Sequence, residues 1–485
     1  MHIKAVKRQK MSQSKSESAG TYMTAVRTSE IADGTGILKT GQLARNLAMT
    51  SLGVNVGTRI AMHQVRNIFR SEANKESANR DFYSRQAQLL ADRLGQLKGG
   101  VMKAGQMLAL YGEYFLPPEI VAALSTLQDF SQPVAWSSLA PAAERSLGKV
   151  RMSELEIDET PIGAASLGQV HRARRKSDGL ELCLKIQYPG LAESIDSDMR
   201  TLSRLLLMTR VVPKDLDLTP MFQEIQQMLH QEVDYRRELH FTQEYATRLA
   251  GDSRFVVPQV MPEYSGRHVL TMTFEPGIGV HDSRVSALSQ ERRNRLSATF
   301  LDLFLTELFE WRMVQTDPNF GNYFFRIDAD GNDVIVLLDF GATRVFTSKF
   351  VHGYRELVNG ALLRDLSRIV SGAAELDILK KEFPKSVQEG FARMCEAIVE
   401  PFEEPGSLGA PKELWNAAGE YRWGETDLPE RVARAMALSM LTVHYRLPPR
   451  DLVFLHRRLT GLFIMLRTLR AEVNGRQRLM SALKM

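Results

Sequence analysis

Two short stretches constrain this chain more than anything else in it. "QTDPNFGNYFF", residues 315–325, sets Asp317 and Asn322 five positions apart in a run of turn-forming residues, just ahead of aromatic ones. "VIVLLDFGATR", residues 334–344, is a β-branched apolar run that ends in a second acid, Asp339, followed by Phe340 and Gly341. Pro318 and Gly321 speak against a helix in the first stretch, and the Val/Ile-rich run of the second reads as a buried strand. A fold that uses both must bring a loop and a strand end together.

Phosphoryl transfer gives a chemical reason for that meeting. The phosphates of ATP are densely negative, and their transfer uses Mg²⁺ held by oxygen ligands at near-octahedral geometry. A side-chain amide (Asn322) and a carboxylate (Asp339) from neighbouring loops supply such ligands. A separate carboxylate (Asp317) orients the attacking hydroxyl or water. D-x-x-x-x-N followed by D-F-G is the protein-kinase catalytic pattern. Each motif alone is common; their order, separation and strand context together are specific.

A kinase-like plan places three further parts upstream. "PIGAASLGQVHRAR" fits a nucleotide-covering hairpin, with Gly163, Ala164, Ala165 and Ser166 as the loop over the phosphates. The strand "LCLKIQ" follows and carries Lys185 among apolar residues. Taken alone, such a lysine snorkels to water; placed after a loop of small residues, it reads as the group that grips the α- and β-phosphates. A long helix from about Thr219 to Leu249 then supplies a glutamate to pair with it. Glu238 is the candidate, and spacing leaves Glu244 open. The G-x-G-x-x-G of ordinary kinases is missing. Alanines restrict φ and hold the backbone further from the phosphates.

The rest of the chain reads as a soluble globular protein. Apolar residues make up 44% and charged residues 25%, and 62 basic against 57 acidic residues give a net charge of +5. That mild charge permits an anionic partner and gives no argument for nucleic acid. Two cysteines, Cys183 and Cys395, without a CxxC pair, indicate neither a disulfide framework nor a zinc site, and fit a reducing compartment. No apolar run approaches the roughly 20 residues of a membrane span. The basic, Ser-rich beginning lacks the apolar core of a secretory signal and reads as a flexible tail, with a transit peptide as the alternative. The segment of residues 43–69 is amphipathic and carries Arg45, Arg59 and Arg66. It is expected either to dock on the lobes or to lie on an anionic membrane surface.

Coarse patterning gives helices first, then a β-rich unit with one long helix, then helices again from near Leu288 to Trp311. Beyond the D-F-G strand everything reads helical. The fold class is α+β: a two-lobed protein-kinase-like fold with an N-terminal helical extension and a helix-rich C-terminal lobe. The expected divisions are a flexible tail over 1–36, a helical extension over 37–150, an N-lobe over 151–276 and a C-lobe over 277–485.

With these residues in view, the chain resembles the UbiB/ADCK family of AarF-domain atypical kinases, which is linked to ubiquinone biosynthesis. "KAGQ" at 103–106 looks like its KxGQ motif. "GAAS" resembles its alanine-rich loop, with Gly163 in place of the first alanine. "EVDYRRE" is similar to its ExD motif with the following glutamate, and "QTDPNFGN" with "LLDFGATR" resembles its catalytic segments. The likeness runs from about residue 80 to 470 and includes the late "LHRRLTG". It implies that Lys185 contacts ATP and pairs with Glu238, that Asp317 is the catalytic carboxylate, and that Asn322 and Asp339 hold Mg²⁺. It also implies that Lys103 and Gln106 fold over the site and meet Glu232 and Asp234, which would disfavour protein substrates. The residues independently put Lys103 and Gln106 on one helix face.

The expected function is therefore that of an Mg²⁺-dependent atypical kinase or ATPase supporting ubiquinone biosynthesis. A lipid-like or quinone-precursor substrate and contacts with other proteins of that pathway go with it. The expected location is cytoplasmic or peripheral on an inner bacterial or mitochondrial membrane. The competing readings are a true protein serine kinase and a catalytically silent, lipid-binding scaffold on a kinase fold.

Overall fold

The structure, a computed structural model, describes residues 100–112, 121, 133–164, 167–209, 219–380, 382–407, 411–428, 430–432 and 449–484. The expected tail, the amphipathic segment of residues 43–69, and Ala165 and Ser166 of the loop lie outside the described residues.

Helix α1 (Gly100–Gly112) carries the KAGQ segment, and α2 (Trp136–Leu147) follows. Strands β1 (Leu155–Ala164), β2 (Gly168–Arg175) and β3 (Glu181–Gln187) then form an antiparallel run. The hairpin between β2 and β3 turns on Ser177-Asp178-Gly179, where Gly179 takes φ +75°. Asp178 accepts from the Leu180 N–H at 3.2 Å and is gripped by the Arg175 guanidinium at 2.7 and 3.0 Å. Turn chemistry thus fixes the register that puts Val170 opposite Lys185. Along β3, Leu182, Leu184 and Ile186 are buried against Leu139 and Ala143 of α2, while Cys183 and Lys185 alternate to the other face. The helix α2 therefore backs the sheet from across the expected 150/151 division.

Helix α3 (Leu191–Thr209) leads to the segment expected as one long helix, which is two: α4 (Thr219–Glu232) and α5 (Tyr235–Leu249). The break has a local cause. The Asp234 carboxylate accepts the N–H groups of Arg236 and Arg237 at 3.1 and 3.4 Å and so starts a new helix. Apolar residues continue on both sides of it, which hid the break. Helix α1 packs against α3 and α4. After β4 (Phe255–Val256), β5 (Val269–Thr273) closes the four-stranded sheet in the order β1-β2-β3-β5.

The second lobe is built on a large helical core. Helix α6 (Gln290–Thr306) is capped by the Ser289 hydroxyl and ends in a π-turn, Glu307–Trp311, with Arg312 at φ 54°. Strand β6 (Met313–Gln315) and the hairpin of β7 (Tyr323–Arg326) and β8 (Val334–Leu337) follow, and β9 (Thr343–Val345) pairs back on β6. Helices α7 (Ser348–Leu363), α8 (Leu366–Glu375), α9 (Lys385–Val399), α10 (Arg450–Thr468) and α11 (Gly475–Leu483) complete the lobe. The all-helical expectation for this region needs one correction. Tyr421 and Arg422 (β10) pair with Glu472 and Val473 (β11), two-residue strands organised around the buried rings of Tyr421 and Trp423. Such short pairings leave no periodic signal.

Helix α10 passes so close to the 315–325 loop that a Cβ on Gly461 would stand 2.0 Å from Pro318 Cβ. Neither a helix backbone nor a proline ring yields easily. Gly461→Ala is expected to lower stability by about 1–3 kcal/mol. Gly390→Ala on α9, where a Cβ meets only Arg393 Nη2 at 3.8 Å, is expected to raise it by roughly 0.5–1 kcal/mol. Thermal unfolding of the two variants checks the opposite signs.

Candidate active site

Strand alternation turns Lys185 away from the sheet core and toward α5. Its ammonium donates to both carboxylate oxygens of Glu238, at 2.7 and 2.9 Å, and to Asp339 Oδ2 at 2.9 Å. The choice left open by spacing is decided here. Glu238 lies on the buried face of α5, whereas Glu244 pairs with Arg248 on the exposed side. Burial works against the ammonium, but Asp339 and Glu238 outweigh it and hold the lysine pKa well above its ordinary value. Glu238 is pushed up to about 7, first by burial and then by the charge of Asp339. Asp339 is also penalised by burial, yet Lys185 keeps its pKa below the usual carboxylate value.

The two motif loops meet as the sequence requires. Leu338 N–H donates to Asn322 O at 3.0 Å, so the ends of β8 and of the 317–322 loop are tied together. Asp339 Oδ1 accepts the Gly341 N–H at 2.9 Å, and Phe340 is buried with its ring 4.5 Å from that of Tyr245. The Asn322 amide donates to the backbone and side-chain oxygens of Asp317 at 3.2 and 3.3 Å. Asn319 shapes this turn by accepting the Gly321 N–H at 2.9 Å. Arg237, next to Glu238, donates to the carbonyls of Gly341 and Thr343 and so fastens α5 to the segment after Phe340.

Sequence reasoning missed Arg457. From α10 its Nη2 reaches Asp317 Oδ1 at 2.7 Å. The available signal was a pair of arginines inside an apolar helix, in the "LHRRLTG" already singled out for resemblance.

Lys103 of α1 pairs with Glu232 at the end of α4, Nζ to Oε1 2.6 Å. Burial opposes its charge, but Glu232 and then Asp317 prevail and raise its pKa. The KAGQ helix thus stands within electrostatic reach of Asp317. Gln106 sits one turn along and is partly buried. The Asp234 carboxylate is engaged at the start of α5 as described. Gly163 and Ala164 end β1 opposite Val170 and Gln169, and Gly163 is exposed, with open space where a Cβ would be. Among the described residues no group of three or more His, Cys, Asp or Glu side chains is arranged to hold a metal. The oxygen donors of the site are instead the Asn322 amide and the carboxylates of Asp339 and Asp317.

Comparison with known proteins agrees with this geometry. Residues 126–373 match the model of the ABC1 atypical kinase-like domain. The mitochondrial atypical kinase COQ8 of Schizosaccharomyces pombe is 31% identical over 401 residues, 82% of this chain and 63% of that one. The mitochondrial atypical kinase COQ8B of Rattus norvegicus is 33% identical over 388 residues, 80% of this chain and 70% of that one. The Saccharomyces cerevisiae COQ8 is 31% identical over 79% of this chain and 74% of its own. The chain thus spans less than two thirds of the fission-yeast relative's length. In fold, it is similar to the Mycobacterium tuberculosis protein Rv3197, solved in complex with erythromycin. That likeness has a TM-score of 0.54 at 21% identity and covers 84% of this chain and 97% of that one. The chain belongs to the ABC1 atypical kinase-like family.

Proposed function

We propose that this chain binds ATP with Mg²⁺ in the cleft between its lobes and transfers or hydrolyses the terminal phosphoryl group, in the service of ubiquinone biosynthesis. The observation that carries the reading is the Lys185 ammonium held at 2.7 Å from Glu238 and 2.9 Å from Asp339, beside the Asp317–Asn322 loop. In this reading Lys185 grips the α- and β-phosphates, and Gly163 and Ala164 at the end of β1 begin the loop that covers them. All three donors of the ammonium are engaged by Glu238 and Asp339. A nucleotide is therefore admitted when the Lys185–Asp339 contact opens.

The donor set fits Mg²⁺. Asn322 and Asp339 offer hard oxygen ligands, and this ion typically takes one or two carboxylates plus phosphate oxygens. When bound, the ion neutralises charge developing on the phosphates. Asp317, steered by Arg457, orients the attacking hydroxyl or water. Glu238 holds Lys185 in place.

The short connection after Asp339 favours a small acceptor or water over a protein. Strand β9 pairs back on β6 at once and α7 begins at Ser348, which leaves little chain to seat a peptide. The Lys103–Glu232 contact adds α1 to that side of the cleft. A full set of phosphate- and metal-binding side chains speaks against a silent scaffold. A quinone precursor resides in the bilayer, so peripheral contact with an inner membrane belongs to the proposal. The relatives carry mitochondrial names, and among the described residues no helix is long and apolar enough to cross a membrane.

Three outcomes test the reading. Asp339→Asn is expected to cut Mg²⁺-dependent ATP turnover by about two to three orders of magnitude, the range for losing a preorganised electrostatic group, while the protein stays folded. ATP affinity that is unchanged by excess chelator in the parent would count against the metal assignment. Lys103→Ala is expected to raise autophosphorylation or alter nucleotide preference, measured by radiolabelled phosphate incorporation; unchanged activity would reduce α1 to plain packing.

A further prediction concerns pH. With its pKa raised from 4.5 to about 7, folded Glu238 holds its proton more tightly than unfolded Glu238. Its contribution to stability is present below pH 4.5 and is lost as pH rises to about 7, on the order of 3 kcal/mol. Glu238→Gln lacks that loss. The parent-minus-variant difference in unfolding free energy, from denaturant titrations, is expected to fall across this window and level off above it.

A further inference from the structure

Behind the Asn322–Asp339 pair lies a buried ion pair with no direct contact to the cleft carboxylates. Glu307 and Arg458 are 1% and 2% exposed, with Arg458 Nη2 3.4 Å from Glu307 Oε2. Glu307 occupies the π-turn that ends α6, a rare departure from helix geometry that is frequent at functional sites. The turn delivers its carboxylate to three donors on three separate elements: the Tyr245 hydroxyl at 2.6 Å, the Gln315 backbone N–H at 3.2 Å, and Arg458.

Each donor leads to a different part of the candidate active site. Tyr245 lies seven residues after Glu238 on the buried face of α5, and its ring packs on Phe340. Gln315 ends β6, two residues before Asp317, and its side chain accepts from the Tyr323 hydroxyl at 3.2 Å. Arg458 is the neighbour of Arg457, which holds Asp317, and its guanidinium lies 5.7 Å from the Tyr323 ring, next to Asn322. A cavity of about 10 Å³, lined by Glu307, Gln315, Arg458, Asn322 and Asp339 among others, separates the ion pair from the site. That is room for about one water molecule. Gln315 Nε2 and Arg458 Nε are buried here with no partner among the described residues.

An apolar pair of the same volume would hold this core as well as an ion pair does. It could not accept hydrogen bonds from three elements at once. We propose that Glu307 is a positioning residue for the phosphoryl chemistry: through Tyr245, Gln315 and Arg458 it sets the placement of the Lys185–Glu238 pair, Asp317 and the Asn322–Asp339 pair relative to one another. The inference rests on the kinase or ATPase reading for its catalytic consequence but not for its structural one.

The test compares the full chain with Glu307→Gln and Tyr245→Phe, the second of which keeps the ion pair and removes one hydrogen bond. Without nucleotide, Glu307→Gln is expected to speed amide hydrogen exchange about tenfold in residues 313–325 and 338–343, while residues 155–187 exchange as in the parent. With Mg²⁺ and ATP, turnover is expected to fall about a hundredfold, with the ATP concentration for half-maximal rate changed by less than about threefold. Tyr245→Phe is expected to show the same pattern in weaker form. Unchanged exchange at 313–325, uniform acceleration across both lobes, or parental turnover in folded Glu307→Gln overturns the proposal. A parent that turns over no ATP sinks the phosphoryl-transfer reading instead, and the exchange pattern alone then decides the positioning.

Discussion

The ammonium of Lys185 between Glu238 and Asp339 is the contact on which the arrangement of the two lobes turns. It joins residues 53 and 154 positions apart in the chain, from β3, α5 and the end of β8. Two carboxylates share one cation, and one of them is almost wholly buried. Such a cluster is a poor way to stabilise a core, because desolvation offsets most of the attraction. Its excess of negative charge adds to burial, the larger cause, in raising the pKa of Glu238, and another cation would relieve it. In the proposed reading, a divalent ion bound with a polyphosphate would supply that cation, with Asp339 among its ligands.

A second line of alternating charge runs beside the first: Glu232, Lys103, Asp317, Arg457. Lys103 feels both Glu232 and Asp317, and Arg457 pairs with Asp317 from the far side. The KAGQ helix and α10 therefore converge on one carboxylate from distant parts of the chain. Any movement of α1 changes the field at Asp317 directly, without a relay through the core.

How much of this was readable depended on whether the signal was local. The β2–β3 hairpin was legible because Ser177-Asp178-Gly179 needs no partner to turn, and Lys185 because it stands among apolar strand residues after a loop of small ones. The D-x-x-x-x-N and D-F-G segments were legible because their spacing is fixed by chemistry. The split at Asp234 was not, since Met228, Tyr235 and Leu239 continue one apolar stripe across it and only the hydrogen bonds of the carboxylate reveal a cap. Spacing could not separate Glu238 from Glu244, because the face that is buried depends on where α5 docks. Arg458 carried a signal that went unused: a charge on the apolar stripe of Leu455, Leu462 and Leu466 requires a buried anion. Nothing in the local sequence names Glu307 as that anion.

Helix α10 shows why the site is not the property of its motif loops alone. Three residues on nearly one face of it meet the candidate site and its support in succession: Arg457 at Asp317, Arg458 at Glu307, and Gly461 against Pro318. The glycine permits the approach, and the two arginines use it. With the helix farther off by the width of a methyl group, neither guanidinium would keep hydrogen-bond distance, and Asp317 would lose its only ion-pair partner among the described residues. Close packing and charge placement are here the same requirement. A backbone contact at one position sets the geometry of a carboxylate about 140 residues earlier in the chain. The loop of residues 317–322 has hydrogen bonds of its own, from Asn319 and Asn322, and takes the rest of its shape from α10.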